Sequence, residues 1–401
     1  MKGRILYSPI SDINTRSLKG ENSLMRIETK LVHGCKGYDE CTGSISFPIY
    51  QSATFRHPGP NQSTGYDYSR LQNPTREELE NTLARLENGN CGFAFASGMA
   101  AIATVLELFK SGEHIIVSDD LYGGTYRLFE EISKGHGLDF TYVDTTDVNK
   151  IKESIKSNTK GIFIETPSNP MMKVADIRDI VELVKPLGIK TIVDNTFLTP
   201  YLQRPLELGA DVVIHSGTKY LGGHNDTLAG FIVANETSDI ERLKLVQKSI
   251  GAVLSPFDCW LILRGIKTLG VRLEKQQSNA LQVANWLKEN KQIDKVYYVG
   301  LPEHEGYNIM KKQASGFGAM ISFLAKDVQL VSRILENVKV IAFAESLGGV
   351  ESLITYPLIQ THSAIPVELR EKIGINDKLL RLSVGIEAVE DIISDLEQAM
   401  K

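Results

Sequence analysis

The chain has 401 residues, of which 42% are hydrophobic and 23% are charged, and its net charge at pH 7 is −5. These values are typical of a globular protein with two domains, and the slight acidic excess gives no reason to expect binding to nucleic acid or anionic membranes. Four cysteines without C-x-x-C spacing do not make a disulfide framework, so we expect a cytoplasmic protein with free thiols.

The first two dozen residues mix basic and acidic side chains and contain no sustained apolar stretch. We therefore expect no secretory signal there, and instead a loose arm or an upstream start, because the patterned sequence opens at Met25. No apolar run approaches the roughly 20 residues that span a bilayer. His215 and His224 are not joined by a further histidine or cysteine, so we predict no metal site.

From about residue 75 to 250, short apolar runs typical of buried strands alternate with segments of helical period. The predicted strands are 92–95, 114–118, 161–165, 191–194, 211–215 and 230–234, and the predicted helices are 75–86, 100–109, 125–132 and 177–184. Strands that alternate with helices pair in parallel through right-handed crossovers. This half of the chain is therefore predicted to form an α/β fold with a mostly parallel central sheet covered on both faces.

Beyond about residue 255 the pattern changes to that of a smaller α+β unit. A long helix is predicted over 259–287, with Gly265 and Gly270 as its weak points. The remaining predicted strands are 295–299, 318–325, 338–343 and 379–384, and the remaining helices lie near 327–336 and 389–400. We divide the chain into an N-terminal extension and arm (1–70), a ligand-binding domain (71–255) and a C-terminal domain (256–401).

Polar residues follow four of the predicted strands and should meet at one edge of the sheet, where ligands bind in such folds. They include Ser97–Met99, Glu165–Asn169, Asp194–Asn195 and Ser216–Lys219. Each group alone is weak, because loops are polar in any case. Together they predict a site with a carboxylate, a lysine and several hydroxyls.

Lys219 follows a buried strand and stands beside two hydroxyl residues, Ser216 and Thr218. A freely mobile ammonium is costly in such a place, whereas an amine that anchors an aldehyde cofactor is well suited to it. By position alone, a surface lysine in a glycine-bounded loop is the more common arrangement. The neighbouring hydroxyls and the carboxylate of Asp194 favour the cofactor anchor.

Three further polar or aromatic features can each be explained either by cofactor binding or by an ordinary structural role. Asp194 ends a strand and suits a protonated pyridine nitrogen, or it is a turn aspartate. Ser97-Gly98-Met99 opens a helix and could bind phosphate, or it is an ordinary serine cap. Tyr122 could stack on a planar cofactor, or it is a core tyrosine.

The loop at 65–75 has two tyrosines and Arg70, which is too polar a composition for a core. Arginine binds phosphate through two parallel hydrogen bonds, so this loop is a candidate phosphate contact. The alternative is a solvated loop.

Eight segments, taken in order, resemble the motifs of the Cys/Met-metabolism family of pyridoxal-phosphate enzymes, which includes the cystathionine synthases and lyases. They are GYDYSRLQNPTR, FASGMAA, DLYGGTYRLF, ETPSNP, VDNTF, HSGTKYLGGHND, AESLGGVESL and LLRLSVGIE. The resemblance runs from about Glu28 to the C-terminus. It implies the fold type I architecture of aspartate aminotransferase and a homotetramer with shared active sites.

The resemblance also implies a role for each matching residue. Tyr68 and Arg70 would reach the cofactor phosphate of the neighbouring subunit, and Gly98, Met99, Ser216 and Thr218 would complete the phosphate site. Tyr122 would stack on the ring, Asp194 would pair with its nitrogen, and Asn169 would contact its oxygen. Arg381, assisted by Ser346, would bind the substrate carboxylate. The catalytic residues would be Lys219, Tyr122 and Asp194.

Within the family, two residues are most similar to the cystathionine γ-synthase pattern. They are Asp67 beside Tyr68, and Glu345 before Ser346, whose anionic carboxylate could hold the amine of incoming cysteine. We predict γ-replacement on an acylated homoserine in methionine biosynthesis, with sulfide as a possible second thiol. The alternatives are a cystathionine γ- or β-lyase and, in another class, a non-catalytic pyridoxal-phosphate-binding protein. The acyl group is left open.

Overall fold

The structure, a computed structural model, describes residues 25–401 and contains two β-sheets flanked by helices. The predicted arm at 1–24 lies outside the described residues. Within 25–401, no helix is both long and apolar enough to cross a membrane.

The first sheet has seven strands in the order β1-β7-β6-β5-β4-β2-β3. The strands are Cys91–Phe95 (β1), His114–Ser118 (β2), Asp139–Val143 (β3), Thr159–Glu165 (β4), Lys190–Asp194 (β5), Val212–Ser216 (β6) and Gly230–Ala234 (β7). Only β7 runs antiparallel to its neighbours, because no helix separates it from β6. The predicted mostly parallel sheet is confirmed. β3 was not predicted, since its side chains are only partly buried.

Helices cover both faces of this sheet, so most of its strand residues are buried. They are Ile27–His33 (α1), Pro74–Leu86 (α2), Gly98–Leu106 (α3), Gly123–Arg127 (α4), Val148–Glu153 (α5), Ile177–Val184 (α6), Thr199–Leu202 (α7) and Thr237–Ile250 (α8). The start of α2 follows from its sequence: the side chain of Asn73 accepts hydrogen bonds from the amides of Thr75 and Arg76, and Pro74 needs no acceptor. The predicted helix at 125–132 continues beyond α4 as a π-helical turn, Leu128–Ser133.

The second sheet has five strands in the order β10-β11-β12-β9-β8. The strands are Ile293–Tyr297 (β8), Met320–Ala325 (β9), Ala342–Phe343 (β10), Leu353–Thr355 (β11) and Leu379–Ser383 (β12). The helices of this half are Pro256–Ile266 (α9), Leu269–Glu289 (α10), Tyr307–Gln313 (α11), Val328–Asn337 (α12), Val367–Ile373 (α13) and Val389–Met400 (α14). These strands and helices form the predicted smaller α+β unit.

Two predictions for this half are wrong. The single helix at 259–287 is broken between α9 and α10, because the carbonyl oxygen of Gly265 accepts hydrogen bonds from both the amide and the hydroxyl of Thr268. The strand at 338–343 is reduced to the two residues of β10. The amides of 339–341 donate instead to the carboxylate of Asp395 on α14, so they are not available to a neighbouring strand.

Candidate active site

The carboxyl ends of β1, β4, β5 and β6 meet at one edge of the first sheet and surround a cavity of about 330 Å³. All the predicted site residues except Asp67, Tyr68 and Arg70 line this cavity. Those that line it are Gly98, Met99, Tyr122, Asn169, Asp194, Ser216, Thr218, Lys219, Glu345, Ser346 and Arg381. The second sheet contributes to the cavity through β12 and the loop before β11.

Lys219 lies just beyond β6 and points toward the second sheet. Its Nζ atom donates a hydrogen bond to the hydroxyl of Ser346 at 2.8 Å. Burial and, to a smaller extent, the charge of Arg381 together lower the pKa of Lys219 from 10.5 to about 8, against an opposing effect of Glu345. A larger fraction of this amine is therefore neutral near pH 7 than in an ordinary lysine, and the neutral amine is the form that attacks a carbonyl group.

Arg381 on β12 is a buried guanidinium that spans the two sheets. Nη1 donates to the side-chain oxygen of Asn169 at 2.8 Å, and Nη2 donates to the carbonyl of Ser346 at 3.0 Å and to the hydroxyl of Thr355 at 3.2 Å. Its Nε is buried without a hydrogen-bond partner among residues 25–401. None of these acceptors is a carboxylate, so the charge of Arg381 is available to a substrate carboxylate.

Asp194 ends β5, and one of its two carboxylate oxygens accepts hydrogen bonds from Thr196. Its Oδ1 accepts hydrogen bonds from the amide of Thr196 at 3.0 Å and from the hydroxyl of Thr196 at 2.5 Å. Its Oδ2 has no hydrogen-bond partner in the part of the chain that the structure describes. The free oxygen can therefore accept a hydrogen bond from a protonated ring nitrogen.

The start of α3 forms an anion-binding corner of the cavity. The Ser97 hydroxyl accepts a hydrogen bond from the amide of Ala100 at 3.1 Å, while the first amides of a helix, here Gly98 and Met99, have no acceptor within it. A Cβ on Gly98 would lie 3.1 Å from the hydroxyl of Ser216, so glycine keeps this corner open. Free amides, the positive helix end and a hydroxyl together suit a phosphate.

Tyr122 stands at the start of α4 with 39% of its surface exposed. Its amide donates to Oε2 of Glu165 at 2.9 Å. The next two residues are tightly packed glycines. A Cβ on Gly123 would lie 2.1 Å from the carbonyl oxygen of Thr361, and one on Gly124 would lie 2.4 Å from the Tyr122 ring. Only glycine therefore fits at these two positions, and the Tyr122 ring lines the cavity, where it can stack on a planar ligand.

Asp67, Tyr68 and Arg70 lie outside the cavity of their own chain. Tyr68 is 45% exposed, and the Arg70 guanidinium lies 5.6 Å from the centre of its ring. Arg70 also donates to the carbonyl of Lys248, and Asp67 accepts a hydrogen bond from the hydroxyl of Ser63 at 2.6 Å. None of the three contacts Lys219.

Several cavity residues were given no role in the sequence analysis. Glu165 was noted only as a polar residue after a strand, and Thr196 and Thr361 were not singled out. His362 is fully buried beside them, with Nε2 3.0 Å from the carbonyl oxygen of Asn169, and burial lowers its pKa to about 3. Thr361 and His362 belong to a segment without helical or strand periodicity, so no sequence signal pointed to them.

A second, outer cavity of about 830 Å³ adjoins the first. The two cavities share Thr218, Leu228, Glu345 and Ser346. The outer wall adds the carboxylates of Asp226 and Asp258. No group of three potential metal ligands occurs within residues 25–401.

The residues around the inner cavity fit pyridoxal phosphate. Lys219 could hold the aldehyde carbon, the free oxygen of Asp194 could hold the ring nitrogen, and the amides of Gly98 and Met99 with the Ser216 hydroxyl could hold the phosphate. The space that a Cβ on Gly98 would fill, and the unpartnered oxygen of Asp194, are the observations on which this fit depends.

Comparison with known proteins shows which family the chain belongs to. The model of the family described as "Cys/Met metabolism PLP-dependent enzyme" matches residues 28–401. A cystathionine beta-lyase of Lactococcus lactis subsp. cremoris is 50% identical over 375 residues, which cover 94% of this chain and 99% of the relative. A cystathionine gamma-synthase/O-acetylhomoserine (thiol)-lyase of Bacillus subtilis is 51% identical over 374 residues, which cover 93% of this chain and 96% of the relative.

A solved structure shares the fold over the same part of the chain. It is the cystathionine gamma synthase from Xanthomonas oryzae pv. oryzae in complex with aminoacrylate and cysteine, with a TM-score of 0.92 and 39% identity, covering 94% of this chain and 98% of that chain. The predicted fold type I architecture and the predicted pyridoxal-phosphate dependence are confirmed. The chain belongs to the Cys/Met metabolism PLP-dependent enzyme family, and the relatives described above bear the names of cystathionine synthases and lyases.

Proposed function

We propose that this enzyme replaces the γ-substituent of an O-acylated homoserine with cysteine to give cystathionine, and that it also accepts sulfide. In this reaction the Cγ–O bond breaks, the acyl group leaves as a carboxylic acid, and a bond forms between Cγ and the cysteine sulfur. The proton of the thiol balances the carboxylate that leaves.

Bound pyridoxal phosphate supplies an electron sink for carbanions formed at the substrate α-carbon. Arg381 binds and orients the substrate carboxylate through its unpartnered Nε. Lys219 removes and returns protons at the α- and β-carbons, and the hydroxyl of Ser346 holds its Nζ on the cavity side. Asp194 keeps a negative charge in the cavity at the end of β5.

The position of Glu345 is the observation that supports a synthase best. Glu345 lines both the inner cavity with Lys219 and the outer cavity, which contains two further carboxylates. A second substrate that enters through the outer cavity therefore meets an anionic wall. Cysteine carries an ammonium group that such a wall attracts, and Glu345 is the carboxylate of the outer cavity that also lines the inner cavity with Lys219.

We also propose that the active site is completed by a neighbouring subunit in a homotetramer. Three predicted residues, Asp67, Tyr68 and Arg70, lie outside the inner cavity, and the outer cavity of about 830 Å³ leaves room beside Thr218. Tyr68 and Arg70 would then bind the cofactor phosphate of the partner, as the family resemblance implies. The division of the chain at residues 70 and 255 belongs to the same proposal.

Cystathionine cleavage is the second candidate, because relatives of nearly equal similarity bear lyase names, including a cystathionine gamma-lyase of Bacillus subtilis at 47% identity. A lyase binds only one amino-acid substrate, so lyase activity does not explain a second, acidic cavity. A synthase binds two amino-acid substrates, and the outer cavity could admit the second.

The test is a pair of incubations with the cofactor-loaded enzyme. One contains acetyl-, succinyl- or phosphohomoserine with cysteine, and the other contains cystathionine alone. We expect cystathionine from the first mixture and little keto acid from the second. Rapid release of pyruvate or α-ketobutyrate from cystathionine, without condensation in the first mixture, would overturn the proposal in favour of a lyase.

A further inference from the structure

Two carboxyl groups lie side by side in the inner cavity. Glu165 ends β4 and Asp194 ends β5, and the two residues are paired in register in the parallel sheet. Paired residues of neighbouring strands are roughly 4.8 Å apart and point to the same face. Both line the cavity, and Glu165 is only 7% exposed. Two full negative charges this close in a buried site repel each other strongly.

The hydrogen bonds to the two groups differ. Asp194 Oδ1 accepts from both the amide and the hydroxyl of Thr196. Glu165 accepts one hydrogen bond, from the amide of Tyr122 to Oε2, and its Oε1 has no partner among residues 25–401. Hydrogen bonds donated to a carboxylate stabilise its ionised form, so Asp194 is the better stabilised anion.

No basic side chain forms an ion pair with Glu165 in the part of the chain that the structure describes. Arg381 is the positive charge nearby, but its hydrogen bonds go to neutral oxygen atoms, and Lys219 donates to a hydroxyl. The other titratable groups that act on Glu165 are acidic, Asp194 first and Asp120 after it. The charge of Glu165 would therefore be poorly compensated.

The pKa values of the two groups move accordingly. Burial raises the pKa of Glu165 well above its ordinary value, and the charge of Asp194 raises it further, against the smaller opposing effects of the Tyr122 amide and Arg381. Burial also raises the pKa of Asp194, but the hydrogen bonds from Thr196 oppose that shift, as does His215 on β6.

We propose that Glu165 and Asp194 together carry a single negative charge at neutral pH, with the proton on Oε1 of Glu165 and the charge on Asp194. Glu165 then acts as a positioning residue. Its Oε2 holds the backbone of Tyr122, and its neutral state leaves Asp194 as the one anion facing the ring nitrogen of the cofactor. The inference concerns the cofactor site and does not depend on which homoserine ester reacts.

The experiment is infrared difference spectroscopy of the cofactor-loaded protein, wild type against Glu165→Gln, near neutral pH. A protonated carboxyl group has a C=O stretch well separated from the bands of a carboxylate. We expect the substitution to remove a protonated-carboxyl band. Removal of carboxylate bands instead would overturn the proposal. If Glu165→Gln does not fold, the wild-type protein can be labelled with ¹³C-glutamate and titrated with pH. Burial also raises the pKa values of Glu78 and Glu80, so the spectrum must show a protonated glutamate in addition to these two.

A second measurement separates the effect of the Asp194 charge on the protonation of Glu165 from the effect of burial. In Asp194→Asn the neighbouring charge is gone, so Glu165 should lose its proton at lower pH, by about one pH unit or more. Asp120→Asn is the matched control, since Asp120 has the smaller effect on Glu165. An unchanged midpoint in Asp194→Asn, or an equal shift in Asp120→Asn, would refute a shared charge between Glu165 and Asp194.

Discussion

The Nζ atom of Lys219 lies 2.8 Å from the hydroxyl oxygen of Ser346, and Ser346 adopts a left-handed φ of 102°. A residue with a side chain rarely adopts such a φ, and the strain costs about 1–3 kcal/mol. Glycine would remove the strain, but it would also remove the hydroxyl. The hydrogen bond to Lys219 gives a reason for serine at this position.

Two substitutions of Ser346 separate these effects. Both Ser346→Ala and Ser346→Gly lose the hydroxyl, so both should lower kcat by about tenfold or more, the equivalent of about 1.4 kcal/mol. Only glycine relieves the backbone, and it should be more stable than alanine by about 1 kcal/mol in urea unfolding. Different kcat values for the two variants would show that the backbone, rather than the hydroxyl, acts on Lys219.

The lowered pKa of Lys219 predicts a pH-dependent stability of the protein without cofactor. Its pKa is about 8 in the folded protein, against an ordinary value of 10.5. Between these values the unfolded chain binds more protons, so stability rises with pH across this window. The free-energy cost of burying the protonated Lys219 amine is fully present below pH 8 and is lost above pH 10.5.

Lys219→Met cannot carry the charge and should lack this dependence. We expect the variant to be more stable than wild type by about 1–3 kcal/mol near pH 7, with the difference shrinking as pH approaches about 10. Urea unfolding of both proteins at several pH values measures it. A constant difference across that range would show that packing, not the charge, accounts for the change.

Arg381 should affect substrate binding much more than cofactor binding. Arg381→Lys keeps a positive charge but loses the planar set of donors, so KM for the amino-acid substrate should rise by about 100-fold, since each hydrogen bond to a charged group is worth about 1.5–3 kcal/mol. The dissociation constant of pyridoxal phosphate, measured by fluorescence or absorbance titration, should change by less than about fivefold. A larger loss of cofactor than of substrate affinity would contradict this role.

Glu345 should distinguish cysteine from sulfide. Glu345→Gln removes the charge and keeps the shape, so KM for cysteine should rise by about 5- to 30-fold, equivalent to about 1–2 kcal/mol. KM for sulfide, which has no ammonium group, should change little. Steady-state assays with each thiol and the same homoserine ester measure both values. Equal effects on the two thiols would remove the support for an ammonium contact.

A shared active site predicts complementation between two variants that are each impaired at a different part of the site. Tyr68→Phe weakens the contact made in the partner's site, and Lys219→Ala removes the amine from its own site. After subunit exchange, a mixed assembly has one site with neither defect, so activity should return to a measurable fraction of wild type. Mass spectrometry confirms the exchange. No recovery in proven hybrids would contradict a site built from two subunits.

The sheet was largely predictable because its strands are continuous apolar runs with little ambiguity. The bounds of β2 and β7 match the prediction, since both strands are buried along their whole length. β3 was missed because its side chains are only partly buried. The break after Ile266 depends on a local turn in which Thr268 donates to the carbonyl of Gly265. The loss of the strand at 338–343 depends on tertiary hydrogen bonds from the amides of 339–341 to Asp395, which no local pattern records.

The candidate site was predictable where its residues follow strands. Asp194 and Lys219 were found in this way, since their strand ends share one edge of the sheet. The contact between Glu165 and Asp194 was not predictable, because it depends on β4 lying beside β5 in the sheet, and the sequence does not show the order of the strands. Thr361 enters the cavity from a distant segment without periodicity. Family motifs, rather than physical pattern, indicated Arg381.

The guanidinium of Arg381 belongs to the second sheet, yet it is hydrogen-bonded to Asn169, which follows β4 of the first. A substrate carboxylate bound there would be held by both halves of the molecule at once. Bound amino acid should therefore hold the two sheets together and slow amide hydrogen exchange along this seam, where residues of the two sheets meet. The cofactor, whose candidate contacts within this chain lie mainly on the first half, should protect that seam less.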